Sequence, residues 1–320
     1  MPNISSSYNP ALWLKSMDIS SIYASKFRKV DGLVQQRERL TLPDSDFLDL
    51  DWIYGMKSTD TVVILLHGLE GSAKRPYILG AAKSYLVQNI DACCVNYRGC
   101  SGEPNSSFKT YHSGATADLQ AVIDFVLEKK SYKNIILHGF SLGANLSLFY
   151  AGTTNIPQQI RAIIAISAPC DLKGCCDRLI STRNLIYSTY FKHSLIKKLY
   201  QKLEKYPDLL SLEEIKKIKT LYDFDTVYTT KAHGFANADD YYLQCSSINH
   251  LGNISIPTYI LNAQNDSFLS ESCYPYEQAQ KNPMLYLETP KFGGHVAFVD
   301  KSIYYSEKQA IAFLKQHQII

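Results

Sequence analysis

Two patterns of apolar residues alternate along most of the chain and predict its secondary structure. Short uninterrupted apolar runs, such as residues 62–66 and 135–137, are typical of parallel strands that are covered on both faces. Between them lie segments in which apolar residues recur at helical spacing. This alternation predicts a doubly wound parallel sheet. Its elements are predicted as strands at 62–66, 92–96, 135–137 and 162–167 and as helices at 76–87 and 115–129.

The first sixty residues follow other patterns. Residues 1–35 show no clear period, and we expect them to be irregular or weakly helical, with a short amphipathic turn that begins at Pro10. Strands are predicted at 37–42 and 47–54, joined by a tight turn. In the second strand apolar and acidic residues alternate, which predicts an antiparallel hairpin with one face in water.

The strand–helix alternation stops after Pro169. The residues from about 174 to 252 are rich in Lys, Tyr and Leu and are predicted to be mainly helical. Ser211 and Glu214 fit a capping box at the start of one such helix. We therefore predict a core of residues 1–170 and 253–320 and a helical cap inserted over the sheet at residues 171–252. The remaining predicted elements are cap helices at 195–203 and 211–221, strands at 257–261 and 284–288, and a final helix at 303–315.

A motif with chemical meaning lies between the strand at 135–137 and the helix that follows it. Residues 139–143 read Gly-Phe-Ser-Leu-Gly and fit the pattern G-x-S-x-G. A strand before this pattern and a helix after it are the context of a nucleophile elbow, which exposes the hydroxyl of Ser141 on a sharp turn. In the simpler interpretation Ser141 only caps the helix.

A serine hydroxyl needs a base to become a nucleophile, and the base needs an orienting carboxylate. His295 is favoured as the base because it lies in a glycine loop after the last predicted strand. Asp266 is favoured as the acid because it directly follows the strand at 257–261, at the edge where such sheets place their sites. Asp171 is the alternative acid, and it also fits as the cap of a helix.

An acyl-transfer site also needs N–H donors for the oxyanion of the tetrahedral intermediate. The backbone N–H of Leu142, which follows the serine, is the first candidate. The backbone N–H of Leu69 is the second, because Leu69 lies in the loop after the strand at 62–66. In the same loop His67 is expected to hold the backbone in place, since one catalytic base is sufficient.

Several of these motifs together resemble the YheT-like branch of the α/β-hydrolases, over about residues 60 to 300. The resemblance implies the α/β-hydrolase fold, a triad of Ser141, Asp266 and His295, and hydrolysis of carboxylic esters. Short acyl esters and monoacylglycerols are the substrates it suggests. The segments that carry it are His67-Gly-Leu-Glu-Gly-Ser72, residues 96–105, residues 111–114 with Asp118, residues 139–145, His233-Gly-Phe with residues 239–242, and Gly293-Gly-His295.

Composition and charge limit the classes of binding partner and the cellular compartment that we expect for this protein. The net charge of +3 on 320 residues is too small to indicate a nucleic-acid partner. No secretory signal is evident, and the spacing of the eight cysteines suits neither a zinc site nor a disulfide framework. We expect a cytoplasmic protein with reduced thiols. The lysines of the cap raise the possibility of a weak contact with a membrane surface, although a solvated cap face is favoured.

Two further groups of polar residues are expected to be structural. Arg98 should anchor its loop through a carboxylate such as Glu103 or Asp118, rather than bind an acidic substrate. His112 and Asp118 should make structural hydrogen bonds, rather than form a second acid–base pair.

The sequence therefore predicts a serine hydrolase that cleaves small carboxylic esters through an acyl-enzyme on Ser141, without a metal or an organic cofactor. A thioesterase or an amidase would use the same residues on a different leaving group. A non-catalytic binding protein of the same fold is the third possibility, although it would not need all three triad residues.

Overall fold

A computed structural model describes residues 3–130, 132–301 and 303–320. A nine-stranded sheet forms its centre, in the order β1-β9-β8-β7-β6-β4-β5-β3-β2. Neighbouring strands are parallel, except that β3 is antiparallel to both β2 and β5. The predicted sheet, mostly parallel with an antiparallel N-terminal hairpin, is confirmed. The strands are β1 (Asn3–Ile4), β2 (Gln36–Thr41), β3 (Phe47–Ile53), β4 (Thr61–Leu66), β5 (Asp91–Asn96), β6 (Asn134–Phe140), β7 (Ile160–Ile166), β8 (Thr258–Leu261) and β9 (Leu285–Glu288).

Helices cover both faces of this sheet. Those outside the stretch between β7 and β8 are α1 (Met17–Lys26), α2 (Pro76–Leu86), α3 (Thr116–Lys129), α4 (Leu142–Thr153), α11 (Tyr276–Lys281) and α12 (Tyr305–Gln316). Helices α3, α4 and α11 share one apolar cluster with the sheet, and α2 and α12 share a second cluster on the opposite face. The central strand β4 has the sequence Thr-Val-Val-Ile-Leu-Leu and is buried along its whole length. A run without polar side chains suits this position, because both of its faces are covered.

The predicted solvent face of the hairpin is wrong for β3, which is buried at every position. This strand lies between β2 and β5, so its acidic side chains do not reach water. The guanidinium of Arg37 binds Asp51 at 2.7 Å, and that of Arg39 binds Asp49 at 2.8 Å, both from the neighbouring edge strand. Because the charges are paired across the ladder, an alternating strand can occupy the interior.

The N-terminal region is more ordered than its sequence pattern predicts. The predicted turn near Pro10 is a 3-10 helix at Leu12–Lys15, and it leads directly into α1. Helix α1 was not predicted because apolar side chains lie on both of its faces. Met17 and Ala24 are buried, whereas Ile19 and Ile22 are exposed, so no amphipathic period stands out in the sequence.

Between β7 and β8 the chain is helical, as predicted. Its helices are α5 (Leu172–Ile180), α6 (Leu185–Lys205), α7 (Leu212–Lys217), α8 (Leu221–Phe224), α9 (Thr230–His233) and α10 (Ala238–Cys245), with a π-helical turn at Asp225–Thr229 and 3-10 turns at Thr182–Asn184, Ser247–Asn249 and Leu251–Asn253. A further 3-10 turn, Glu271–Cys273, follows β8. The predicted capping box is confirmed: Ser211 Oγ accepts from the N–H of Glu214, and the Glu214 carboxylate accepts from the N–H of Ser211.

These helices bury an apolar cluster that is largely their own, with contributions from Met17 and from the loop after β8. This cluster supports our division into a core of 1–170 and 253–320 and a cap of 171–252, which stays a prediction. All eight cysteines are buried and free. Among the helices of the described residues, none is both long enough and apolar enough to cross a membrane.

Candidate active site

Ser141 occupies the turn between β6 and α4, with φ 53° and ψ −119°, a left-handed conformation that side chains rarely adopt. The backbones of the two elements meet so closely that a Cβ at Gly139 would lie 2.1 Å from the carbonyl oxygen of Gly143. A Cβ at Gly143 would lie 2.4 Å from the carbonyl oxygen of Leu66. Glycine is therefore required at both flanks of the serine. The hydroxyl of Ser141 makes no capping hydrogen bond with α4.

The hydroxyl instead lies in a chain of hydrogen bonds that joins three loops at the carboxyl edge of the sheet. Ser141 Oγ is 2.9 Å from His295 Nε2, and His295 Nδ1 is 2.7 Å from Asp266 Oδ2. Asp266 Oδ1 accepts from the backbone N–H of Phe268 at 3.0 Å. Because a buried carboxylate can only accept, His295 carries its proton on Nδ1, which leaves Nε2 free to accept from the serine.

The carboxylate of Asp171, the alternative acid, contacts other groups. Its Oδ1 accepts from the N–H of Gly174 and caps α5, and its Oδ2 accepts from the hydroxyl of Ser272 at 2.5 Å. In the described part of the chain no hydrogen bond joins it to His295. Of the two candidate acids, the structure therefore brings Asp266 to the imidazole and uses Asp171 as a helix cap.

The N-terminal segment holds the histidine loop, a contact that the sequence pattern did not predict. Ser21 Oγ accepts from the backbone N–H of His295 at 3.0 Å. The side chain of Asn265 donates to the carbonyl of Lys15 and accepts from the N–H of Gly294, each at 3.0 Å. The loops of Asp266 and His295 are thus both tied to residues 15–21, which lie far from them in the sequence.

The two predicted oxyanion donors lie next to the serine. In the described residues, the backbone N–H groups of Leu69 and Leu142 donate to no other protein group. A Cβ at Gly68 would lie 3.0 Å from the Cβ of Ser141, so the loop after β4 passes directly beside this serine. This arrangement supports Leu69 and Leu142 as the oxyanion donors, which stays a prediction.

His67 holds that loop, as predicted. Its Nδ1–H donates to the carbonyl of Gly68 at 2.7 Å, and its Nε2 accepts from the N–H of Tyr97 at 3.3 Å. Burial lowers the pKa of His67 to about 3. The ring is therefore neutral, with both nitrogens engaged by the backbone.

Glu70, the next residue but one after Gly68, is a functional candidate that sequence reasoning missed. It has φ 53°, and its buried carboxylate accepts from the Tyr111 hydroxyl (2.7 Å), the Ser194 hydroxyl (2.5 Å) and the Lys198 ammonium (2.7 Å). Burial acts to raise the pKa of Glu70, but the Lys198 charge and the hydroxyl donors outweigh it and lower the pKa. This ionised group links the loop beside Ser141 to α6 of the cap.

A pocket opens from Ser141 into the space beneath the cap. Its wall is mostly apolar, with Leu142 at the base and aliphatic and aromatic side chains of the cap above. The cap side chains that line it include Leu172, Leu179, Leu195, Leu199, Leu221, Phe224, Tyr228 and Tyr242. Two acidic residues, Glu70 and Asp225, also line the pocket. Asp225 lies in the π-helical turn, where it accepts from the hydroxyls of Thr229 and Tyr242. Burial raises the pKa of Asp225 to about 6.

The other polar candidates are structural. Arg98 donates two hydrogen bonds of 2.7 Å to Asp118, which is one of its two predicted partners. It also binds Asp44 and Asp46. The other predicted anchor, Glu103, pairs with Arg39 instead. The ring of His112 packs on that of His233 at 4.3 Å between centroids, and its Nδ1 accepts from the N–H of Gly114. Among the described residues no hydrogen bond joins His112 to Asp118.

The lysines of the cap do not form the free basic face that their number suggests. Lys198 binds Glu70, and Lys202 is buried with its ammonium on backbone and side-chain oxygens of Asn105 and the carbonyl of Ser107. Lys205 reaches the carbonyl of Ser106. Lys202 and Lys205 thus connect the cap to the loop before α3, and Lys198 connects it to the loop after β4. The described residues contain no group of three or more His, Cys, Asp or Glu side chains that could hold a metal ion.

Comparison with known proteins agrees with this fold. The model of the family described as "alpha/beta hydrolase fold" matches residues 61–302. The chain belongs to this family. Within it the chain is YheT-like: it is 29% identical to the Escherichia coli protein named "Putative esterase YheT", over 92% of this chain and 88% of that protein.

A second relative and a solved structure extend the comparison. The chain is 28% identical to the monoacylglycerol lipase of Saccharomyces cerevisiae, over 85% of this chain and 61% of that protein. A crystal structure of the Pyrococcus furiosus esterase Pf2001 is similar in fold, with a TM-score of 0.60 and 18% identity over 90% of this chain and 95% of that one. At this identity the structural likeness concerns the fold alone.

Proposed function

We propose that this α/β-hydrolase cleaves carboxylic esters through an acyl-enzyme on Ser141. The observation that carries the proposal is the continuous hydrogen-bonded chain Ser141–His295–Asp266, whose serine end faces an apolar pocket. The names of the relatives, an esterase and a monoacylglycerol lipase, support an ester as the substrate.

The geometry supports a two-step reaction. Ser141 Oγ attacks the ester carbonyl while His295 Nε2 takes the hydroxyl proton, and the carbonyl electron pair moves to the oxygen. Backbone N–H groups of Leu69 and Leu142 bind the resulting oxyanion. Collapse of the intermediate breaks the ester C–O bond, and His295 gives its proton to the departing alcohol. Water then attacks the acyl group by the same route, and Asp266 stabilises the imidazolium in both steps.

The pocket favours an acyl group over a polar substrate. Because aliphatic and aromatic side chains dominate the space between Ser141 and the cap, an acyl chain gains contact there without leaving polar groups unpaired. We propose short acyl esters or a monoacylglycerol as the substrate class.

The first test is hydrolysis of p-nitrophenyl esters from acetyl to palmitoyl, measured for the native protein and for Ser141→Ala. We expect activity in the native protein and a loss of at least about a thousandfold in the variant, because the variant has no nucleophile. Native activity that Ser141→Ala retains would exclude the proposed acyl-enzyme.

A fluorophosphonate probe separates the remaining outcomes. Covalent labelling of Ser141 without ester turnover would direct attention to thioesters or amides, which need the same nucleophile. A folded native protein that is neither labelled nor active would favour the non-catalytic binding role.

A further inference from the structure

Exposed apolar side chains are concentrated on one side of the molecule. Of the nineteen large apolar side chains exposed in the described residues, nine lie in two short segments, 12–27 and 185–190. We call these nine side chains the apolar ridge. They are Leu12, Trp13, Ile19, Ile22, Tyr23, Phe27, Leu185, Ile186 and Tyr190.

The two segments of the ridge form one continuous surface. The carboxylate of Asp18 in α1 binds Arg183 at 2.8 Å and the hydroxyl of Tyr187 at 3.0 Å. The ammonium of Lys26 lies 5.8 Å from the ring centre of Tyr190. These contacts place α1 against the start of α6, so the apolar side chains of both segments face water together.

The aromatic members of the ridge are arranged as a row. The ring of Trp13 meets that of Tyr23 at 5.2 Å, and Tyr23 meets Phe27 at 5.9 Å. Leu12 and Phe27 at the two ends are 82% and 68% exposed. A row of exposed aromatic and aliphatic side chains is costly in water and is typical of surfaces that enter a lipid interface.

The charges around the ridge favour a negatively charged surface. Four lysines on the same segments or directly beside them, Lys15, Lys26, Lys29 and Lys192, have no acidic partner in the described part of the chain, whereas the only acidic residue within 12–27 or 185–190 is Asp18. That carboxylate is neutralised by Arg183. Apolar side chains flanked by free lysines match the headgroup region of an anionic bilayer, in which rings enter the interface and ammonium groups remain with the phosphates.

We propose that the apolar ridge binds the surface of an anionic lipid bilayer. Of the cap lysines considered from the sequence, Lys192 lies beside the ridge, whereas Lys198, Lys202 and Lys205 are bound to the core. The ridge also lies next to the catalytic machinery, since α1 carries Ser21, which holds the backbone of His295, and Met17, which packs in the cap cluster. A protein held on a bilayer by the ridge would therefore carry its triad close to the lipid.

The chain supplies its own reporter for the test. It contains two tryptophans: Trp13 on the ridge is 51% exposed, whereas Trp52 is 1% exposed in the core. On addition of vesicles made of equal parts phosphatidylcholine and phosphatidylglycerol, we expect a blue shift of the tryptophan emission and co-sedimentation of the full-length protein. Phosphatidylcholine vesicles alone should bind less protein, and Trp13→Phe should lose the blue shift but still sediment.

Variants on the ridge identify the surface that binds. Ile22→Glu and Ile186→Glu each place a charge where an apolar side chain would enter the bilayer, and each should weaken vesicle binding about tenfold or more. Both positions are exposed, so the fold should be unaffected. Met56→Glu, at an exposed apolar side chain off the ridge, is the matched control and should bind as the native protein does.

These binding measurements involve no turnover, so their result is independent of the proposed ester hydrolysis. Absence of a blue shift and of co-sedimentation would overturn the proposal, as would equal binding by the native protein and both ridge variants. Sedimentation equilibrium without lipid provides one more check. A dimer that Ile22→Glu dissociates would show that a second copy of the chain covers the ridge, which also overturns the proposal.

Discussion

Asp171 and Asp266 each follow a strand at the carboxyl edge of the sheet, and they differ in what their carboxylates contact. Asp266 binds the imidazole of His295 and one backbone N–H, whereas Asp171 binds the first turn of α5 and a serine hydroxyl. A carboxylate on the imidazole fixes its tautomer, and a carboxylate at a helix start stabilises the helix. We therefore expect the same side chain to have a chemical task in one loop and a structural task in the other.

Replacement of each acid by its amide separates the two tasks. Asp266→Asn should lower the rate of ester hydrolysis by about three to four orders of magnitude, because the amide no longer holds the proton on Nδ1 of His295. Asp171→Asn should keep a near-native rate, because asparagine caps a helix as well as aspartate does. The check is kcat/KM on one p-nitrophenyl ester for both variants, and the reverse pattern would show that Asp171 is the triad acid.

At this scale the sequence pointed to the three residues that the structure joins by hydrogen bonds, and it missed the residues that hold them in place. Ser141, His295 and Asp266 stand in local patterns, such as a glycine loop or the end of a strand, which can be recognised without the fold. Ser21 and Glu70 act through partners more than a hundred residues away, namely His295, Ser194 and Lys198. No local pattern contains that information.

The loop after β4 and helix α6 are joined by one buried ion pair, Glu70 with Lys198. The loop carries Leu69, a proposed oxyanion donor, and α6 forms part of the pocket wall. This contact thus links the cap directly to the backbone beside Ser141. A substrate that moves α6 would also move the backbone next to Ser141.

Loss of this contact should be costly. Lys198→Met leaves the Glu70 carboxylate buried without a cation, and we expect it to lower the free energy of unfolding by about 3 kcal/mol. The double variant Glu70→Gln with Lys198→Met should recover much of that loss, because no charge then remains buried. Urea denaturation measures all three proteins. Lys197→Met, on the exposed side of α6, is the matched control, and an equal loss there would contradict the assigned role of the pair.

Elements were predicted well where burial alone defines them. The observed β4 and β5 begin one residue before the predicted strands, because an apolar run marks a buried parallel strand directly. Helix α6 begins ten residues earlier than predicted, at Leu185, since its first turns expose apolar side chains and show no period. The burial of β3 was also missed, because paired charges make an interior strand resemble a surface one.

The molecule as a whole contains several histidines that are held neutral. Burial lowers the pKa of His67, His112 and His138 to about 3 and that of His233 to about 4. In the described residues, Nε2 of His138 and Nε2 of His233 have no hydrogen-bond partner. Within that part of the chain no acceptor therefore stabilises a second proton on either ring, which agrees with the lowered pKa values. In the unfolded chain these histidines would titrate near 6.5.

The protein should therefore already lose stability at pH values well above the pKa of its ordinary carboxylates. As pH falls below 6.5 the unfolded state binds protons that the native state does not, so each such histidine removes up to about 1.4 kcal/mol of stability per pH unit. Asp225, whose pKa is raised to about 6, has the opposite effect, because the native state binds this one proton more readily than the unfolded state does. We expect the free energy of unfolding to fall by several kcal/mol between pH 7 and pH 5.

Urea denaturation at pH 7, 6 and 5 measures this slope. His138→Gln should reduce this slope by the contribution of one histidine. The variant should still fold, because the amide can form a hydrogen bond with the hydroxyl of Tyr85. His193→Gln, at an exposed position, should leave the slope unchanged. A free energy of unfolding that stays level from pH 7 to pH 5 would contradict the prediction.

The burial of all eight cysteines has a practical consequence for following motion in this protein. A thiol reagent in solution can reach these sulfurs only when the surrounding structure opens. Cys175, Cys176 and Cys245 lie in the cap helices, whereas Cys93 and Cys94 lie in β5, an interior strand of the sheet. The order in which mass spectrometry finds them labelled therefore distinguishes opening of the pocket from unfolding of the core, without any engineered probe.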